Sequence, residues 1–386
     1  MSNWWFTVDK KILLIFLLLH AFGLLVILSS GISVANKIDA GSEYFFFKKQ
    51  IVFSLMATCI IIIMSFFGEK TAKISIPFYF AISLVLLATI PLFGQTIKGS
   101  RRWIYLFGFS IQPTEFIKPS FILLNAFALA LLDSGKGGKK LICLNIIFII
   151  LIICLLYKQP DVGNCCLFLF AVFAQVFFLD SFTSGLLLKC LAGFAVLFFI
   201  MYLSFSHVYS RVNNFVVSFF SVEKATYQVR SSISGYRNSG FLGRGFLEGE
   251  VKKHIPDAHT DFVLPVISEE FGCVAVFLLL ASYFFLFCRI MAKASLREDR
   301  AVFFMLVGLA PLFMIQIIIN VCVSLNFLPT KGMTIPFMSY GGSSLIANAI
   351  TFGYALIFTK DSMIRKKNIE NTVIGWEISD EQTASQ

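Results

Sequence analysis

The chain has 386 residues, of which 58% are hydrophobic and 14% charged, with a formal net charge of +10 and a mean hydropathy of +0.83. Soluble domains carry roughly a quarter charged residues, so this composition excludes an ordinary soluble domain, and the 46 Phe residues suit lipid-facing helices. The positive charge belongs to the loops of a membrane protein and not to a nucleic-acid surface, because no compact basic soluble region stands apart from the apolar runs.

A membrane-crossing helix needs about 20 apolar residues. Ten windows qualify: 12–31, 51–67, 74–93, 113–132, 141–157, 162–179, 185–205, 264–291, 302–325 and 344–359. The short alternating segments of a membrane β-barrel are missing, and backbone groups in hydrocarbon must pair within their own segment. The expected fold class is therefore an all-α integral membrane protein with about ten transmembrane helices. Asp9, Lys10 and Lys11 precede the first run, which has no small-residue cleavage site and reads as a retained span. Residues 1–11 form an N-terminal segment, 12–359 one polytopic membrane domain and 360–386 a polar, disordered tail. Lys10 and Lys11 before the first span, and Lys360, Arg365, Lys366 and Lys367 after the last, place both termini in the cytoplasm. Total Lys and Arg is balanced between the two sides, so the terminal flanks carry this orientation. The nine Cys lie in or beside the spans and read as packing residues, not as a disulfide framework.

With that orientation the outer connections are 32–50, 94–112, 158–161, 206–263 and 326–343. Polar clusters follow along them in chain order and suggest one site on the outer face. Arg101 and Arg102, with Glu115 and Lys118 just beyond, bring phosphate-binding chemistry or headgroup contact. Trp103 and Tyr105 beside them fit an interfacial aromatic belt. At Gln159-Pro160-Asp161 the proline disfavours helix before it, and Asp161 either caps the next span or lines a cavity. The loop 206–263 carries seven basic residues: Arg211, Lys224, Arg230, Arg237, Arg244, Lys252 and Lys253. It ends at Asp261, where the chain re-enters an apolar run. Asp261 is either an N-cap or a general base whose pKa an apolar wall raises. Glu269 and Glu270, two turns further on, are either partners of that site or structural mates for Arg or Lys. Tyr340-Gly-Gly-Ser-Ser344 supplies backbone N–H groups before the last span, as an anion cradle or a plain turn. His20 reads as a packing residue, and His207, His254 and His259 lack a recognisable metal spacing.

The strings GSRRWI (99–104), QPTEFIK (112–118), QPDVG (159–163), PDAHTDF (256–262), EEFG (269–272) and LPTKGMTIPFMSYGGSS (328–344) together resemble the SEDS family (shape, elongation, division and sporulation) of membrane glycosyltransferases. The resemblance covers about residues 95–358, and the LPTKG form is closer to the division members than to the elongation members. Departures lie in the long loop, at 235–240 and 243–245, and at Asp257, where many relatives have Glu.

The resemblance implies ten transmembrane helices and polymerisation of lipid II into peptidoglycan strands on the outer face of the bacterial inner membrane, at the division septum. It implies a class B penicillin-binding protein as partner, among other division proteins. It puts the essential carboxylate on Asp261. The expected substrate-binding set is Arg101, Arg102, Glu115, Lys118, Gln159, Asp161, His259, Thr260, Lys331, Tyr340 and Ser343. Pyrophosphate is a good leaving group and needs cations more than an acid, so one base and a basic cradle suffice for an inverting displacement. In a variant of this scheme Asp261 ligates a divalent cation, Mg or Mn, that holds the pyrophosphate. Two other classes stay open: a lipid II flippase, with Glu115, Lys118, Glu269 and Glu270 along its path, and a non-catalytic division scaffold. The lack of an internal repeat weakens the transporter class.

Overall fold

The computed structural model describes residues 4–360 apart from 40, 98, 99, 107, 108, 221, 222, 224 and 256, with the backbone alone at 97 and 106. Gly99, Lys224, Pro256 and the tail 361–386 lie outside the described residues. The helices are α1 (Trp4–Thr7), α2 (Lys10–Lys37), α3 (Phe45–Phe66), α4 (Glu69–Phe93), α5 (Pro113–Asp133), α6 (Lys139–Lys158), α7 (Val162–Phe177), α8 (Ser184–Ser204), α9 (Ser206–Phe220), α10 (Tyr227–Arg237), α11 (Val263–Ala294), α12 (Arg300–Ser324) and α13 (Gly342–Phe358). Eight of them are long and apolar enough to cross a membrane, and α7 and α13 are shorter apolar helices. These ten coincide with the ten expected windows.

Local chemistry sets the helix starts. Asp9 caps α2 by accepting from the backbone N–H of Lys11 (3.1 Å) and Ile12 (3.2 Å). Asp299 caps α12 in the same way, and Pro113 opens α5 at a position where its missing N–H costs nothing. The interior is built around α12, which packs against α5, α7 and α11, while α13 lies against α3. Phe304, Met305, Leu306, Val307 and Leu309 of α12 are fully buried. By contrast α8 buries only Met201, and α6 only Ile152 and Leu156, so both present most of their apolar surface outward.

Two outer connections carry more structure than their polarity suggests. Residues 95–111 form an antiparallel sheet of β1 (Gln95–Ile97), β2 (Ser100–Leu106) and β3 (Phe109–Ile111) in the order β1-β2-β3. Trp103 pairs with Gln95 and Ile104 with Ile111, and Arg102 of the same strand reaches the residues before α7, where its guanidinium donates to the carbonyl of Gln159 at 3.4 Å. The stretch 206–263 contains α9 and α10 and is tied to the bundle by the two glutamates. Glu270 pairs with Lys252 and accepts from Ser29. Glu269 accepts from the N–H of Val251 at 2.8 Å, and its carbonyl accepts from the N–H of Arg244 at 2.8 Å. Just beyond, Gly272 (φ 85) breaks the helical path of α11.

On the opposite face the connections are short and held by ion pairs. Arg289 meets Asp9 at 2.9 Å, Arg297 meets Glu69 at 2.8 Å, and Arg300 bridges Asp133 (2.6 Å) and Asp180 (2.9 Å).

Candidate active site

The turn before α11 builds the centre of the site. The carbonyl of Asp257 accepts the N–H groups of Thr260 and Asp261, both at 3.1 Å, and the hydroxyl of Thr260 at 3.2 Å. Asp257 itself sits at φ 57, a left-handed conformation that Asp tolerates better than most residues. The N-cap position of α11 falls on Phe262, so Asp261 is not the helix cap. Its half-buried carboxylate is turned against Gly332: a Cβ there would lie 2.4 Å from Oδ2. Only a glycine allows this approach.

Around this carboxylate lies a polar cavity of about 390 Å³. Its wall brings together Arg102 of β2, Glu115 and Lys118 of α5, Arg211 of α9, Thr260 and Asp261, Gln316 of α12, Lys331, and Tyr340, Gly341 and Ser344 before and within α13. Beside it runs an apolar groove of about 520 Å³ between α7, α8, α9 and α12, lined by Phe170, Phe194, Phe198 and Ile315 among others. Arg102, His207, Arg211 and Lys331 line both spaces. Cations therefore stand at the junction, while Asp257, Asp261 and Glu115 face only the polar side.

A buried charge network underlies the junction. Asp161 is fully buried and caps α7 through the N–H of Asn164 (3.3 Å). It meets Lys331 Nζ at 3.3 Å and Arg102 Nε at 3.8 Å, and accepts from Asn164 Nδ2 at 2.8 Å. Asn164 Oδ1 in turn accepts from Lys118 Nζ at 3.0 Å, and Lys118 reaches both oxygens of Glu115 at 3.0 Å. Burial alone pushes the Asp161 carboxyl up, but Lys331, Arg102 and Asn164 together hold it well below the usual carboxylate range. Gly163 is the opening through which Lys331 passes: a Cβ there would overlap the lysine side chain, at 1.8 Å from Cδ.

Of Asp261 and the expected substrate-binding set, Arg102, Glu115, Lys118, Thr260, Asp261, Lys331 and Tyr340 line the polar cavity, as do Trp103, His207, Arg211, Asp257 and Ser344 from the same sequence clusters. The other members of that set do not. Arg101 is exposed and donates to Thr96 Oγ1 at 3.0 Å. Gln159 is buried, and its carbonyl accepts from Arg102 Nε at 3.4 Å. Asp161 lies beneath, on the apolar side. His259 packs between Phe46 and Tyr340, with ring centroids 4.4 and 5.3 Å away. Burial pulls its imidazole down to about 4, against a weaker upward pull from Asp257. Ser343 is buried, and its neighbour Ser344 takes the cavity position, sharing a hydrogen bond of 2.8 Å with Thr334. Glu269 and Glu270 lie outside both spaces. Among the described residues no group of three or more His, Cys, Asp or Glu could hold a metal ion. Sequence reasoning missed Gln316 and Asn320. Their signal was two amides four residues apart in an otherwise apolar span, since polar groups inside spans face the interior or a cavity.

These features define a multi-pass helical membrane protein with one polar, carboxylate-bearing cavity opening into an apolar groove. Residues 9–362 match the family FTSW_RODA_SPOVE, described as cell cycle protein. The chain belongs to this family and within it is most like FtsW. It is 33% identical to the probable peptidoglycan glycosyltransferase FtsW of Caulobacter vibrioides (strain NA1000 / CB15N), over 94% of this chain and 91% of that protein. Against the probable peptidoglycan glycosyltransferase FtsW of Trichlorobacter lovleyi the identity is 31%, over 90% and 92%. Among solved structures, a chain of a peptidoglycan synthase complex that coordinates polymerization and crosslinking superposes with a TM-score of 0.74 at 25% identity, covering 91% of this chain and 97% of that one. The rod shape determining protein RodA of Thermus thermophilus superposes with a TM-score of 0.68 at 25% identity, covering 92% and 97%.

Proposed function

We propose that this chain is a peptidoglycan glycosyltransferase that polymerises lipid II during cell division, with Asp261 as general base. The observation that carries the reading is the junction: Arg102, Arg211 and Lys331 stand where a polar cavity holding Asp261 meets an apolar groove. A prenyl-pyrophosphate sugar has the same layout, with an apolar tail, a dianionic link and a polar head. The groove takes the tail, the junction cations take the pyrophosphate, and the polar cavity takes the sugars. Asp261 removes the proton of the attacking sugar hydroxyl as the bond to pyrophosphate breaks, giving inversion without a protein nucleophile. Thr260, Lys118, Glu115 and Tyr340 contact the sugars. Asp161, Gln159, His259 and Ser343 support the walls, and Arg101 meets lipid headgroups.

Residues 1–11 and 360–386 lie in the cytoplasm, and 12–359 form the membrane domain of the inner membrane at the division septum. Family membership and the likeness to a chain of a peptidoglycan synthase complex support a transpeptidase partner, a class B penicillin-binding protein, with further division proteins around it.

The test is to supply lipid II to the chain co-purified with that partner. Glycan ladders are expected. Lipid II translocated in proteoliposomes with no polymer formed would favour a flippase, and normal division by Asp261→Asn cells would favour a scaffold. Chelation separates the two forms of the mechanism: activity that survives EDTA removes the variant in which Asp261 ligates a divalent cation.

A further inference from the structure

Asn320 lies one turn beyond Gln316 on the same face of α12 and is 3% exposed. Its Nδ2 donates to the carbonyl of Asp261 at 2.9 Å and to the carbonyl of Met333 at 2.6 Å. Both acceptors are carbonyls, so the amide nitrogen and not the oxygen must face them. The two carbonyls belong to different segments, the 257–261 turn and the stretch 328–341, neither of which is in a helix or strand there. Among the described residues no ladder of backbone bonds sets their register. One backbone bond, from the N–H of Tyr340 to the carbonyl of His259 at 2.8 Å, joins them further along. The Asn320 bonds join them beside Gly332, where the carboxylate of Asp261 packs.

We propose that Asn320 is a positioning residue, which holds Asp261 in register against Gly332 and Met333 and so sets the direction in which its carboxylate meets the acceptor hydroxyl. The inference rests on Asp261 being the base. A base displaced by about 1 Å loses roughly a hundredfold in rate, whereas groups that bind the lipid are untouched by the change. Replacing the amide also leaves two buried carbonyls without a donor, which alters the surroundings of the Asp261 carboxyl.

The experiment compares wild type, Asn320→Asp, Asn320→Leu and Asn320→Ser in the full-length complex, with lipid II as substrate, across about pH 5 to 9. Asp and Leu keep the volume and lose the donor facing the carbonyls, and Ser keeps one donor. For Asp and Leu, kcat is expected to fall about 10- to 100-fold with KM within about twofold, and the acid limb of the pH–kcat profile to move. Ser should lie between these and wild type. A merely structural role would lower the yield of folded complex without moving the acid limb. If Asp and Leu fail to fold, the Ser profile decides alone. An unmoved acid limb with wild-type kcat, or a loss confined to KM, overturns the proposal. Asp261→Asn is run in parallel. If it stays active, the base reading fails and takes this inference with it. If it is inactive while the Asn320 variants match wild type, only the inference falls.

Discussion

At Gly332 a single methyl group would lie 2.4 Å from Oδ2 of Asp261, closer than any real contact, so either the carboxylate or the 330–334 segment must move. Gly332→Ala is therefore expected to keep the fold and lower polymerisation by about 10²-fold, read as glycan product per unit of folded complex. His259 gives a pH prediction. Its imidazole titrates near 4 in the folded chain and near ~6.5 when unfolded. The unfolded state binds the proton first as pH falls. The stabilisation is thus complete above about pH 6.5 and lost on the way down to about 4, amounting to ~3 kcal/mol at most. Thermal unfolding in detergent should show this acid loss, and His259→Phe, which keeps the packing on Phe46 and Tyr340, should flatten it. Asp261 was legible as a site residue from its place at the end of a basic loop beside an apolar run. Asn320 was not, because its role depends on two backbone carbonyls brought together only by the fold.

Among the ten apolar helices, α7 and α13 are the short ones, with 16 and 17 residues. At ~1.5 Å per residue they reach about 24–26 Å, less than the ~30 Å hydrocarbon core. Both begin at the site, α7 from Asp161 and α13 from Gly341, so the cavity is recessed toward the bilayer, where a lipid-linked sugar presents its pyrophosphate. The latch between Glu270 and Lys252 holds the 206–263 stretch from outside the cavity. Glu270→Ala leaves a buried ammonium unpaired and is expected to cost about 3–5 kcal/mol, seen as a lower unfolding midpoint with activity lost in proportion to folded protein. The spans were legible because hydropathy alone marks a membrane helix. The sheet at 95–111 was not, since its strands have 3, 7 and 3 residues. α9 and α10 were hidden by the polarity of their loop.

For the whole molecule, the site on one face and the ion-paired connections on the other give a definite polarity. Lys10 and Lys11 flank the start of α2 and Lys360 follows α13, both on the face away from the cavity. On the proposed orientation, which rests on the positive-inside rule, the cavity faces away from the cytoplasm. Alkaline phosphatase inserted after Glu248 should be active and a green fluorescent fusion after Gln386 should fluoresce; the reverse pattern would invert the topology. The clusters that converge on the cavity were readable as motifs. The apolar groove beside it was not, because its lining residues on α7, α8 and α12 look in sequence like any lipid-facing surface.

The central claim is that Asp261 performs the chemistry in that cavity. The most direct measurement is lipid II polymerisation by the purified complex, wild type beside Asp261→Asn, with folding and partner binding checked by co-elution. Asparagine keeps the shape and removes the base, so glycan ladders from wild type and none from the variant are predicted. Ladders of equal length and amount from both would contradict the account and move the base elsewhere.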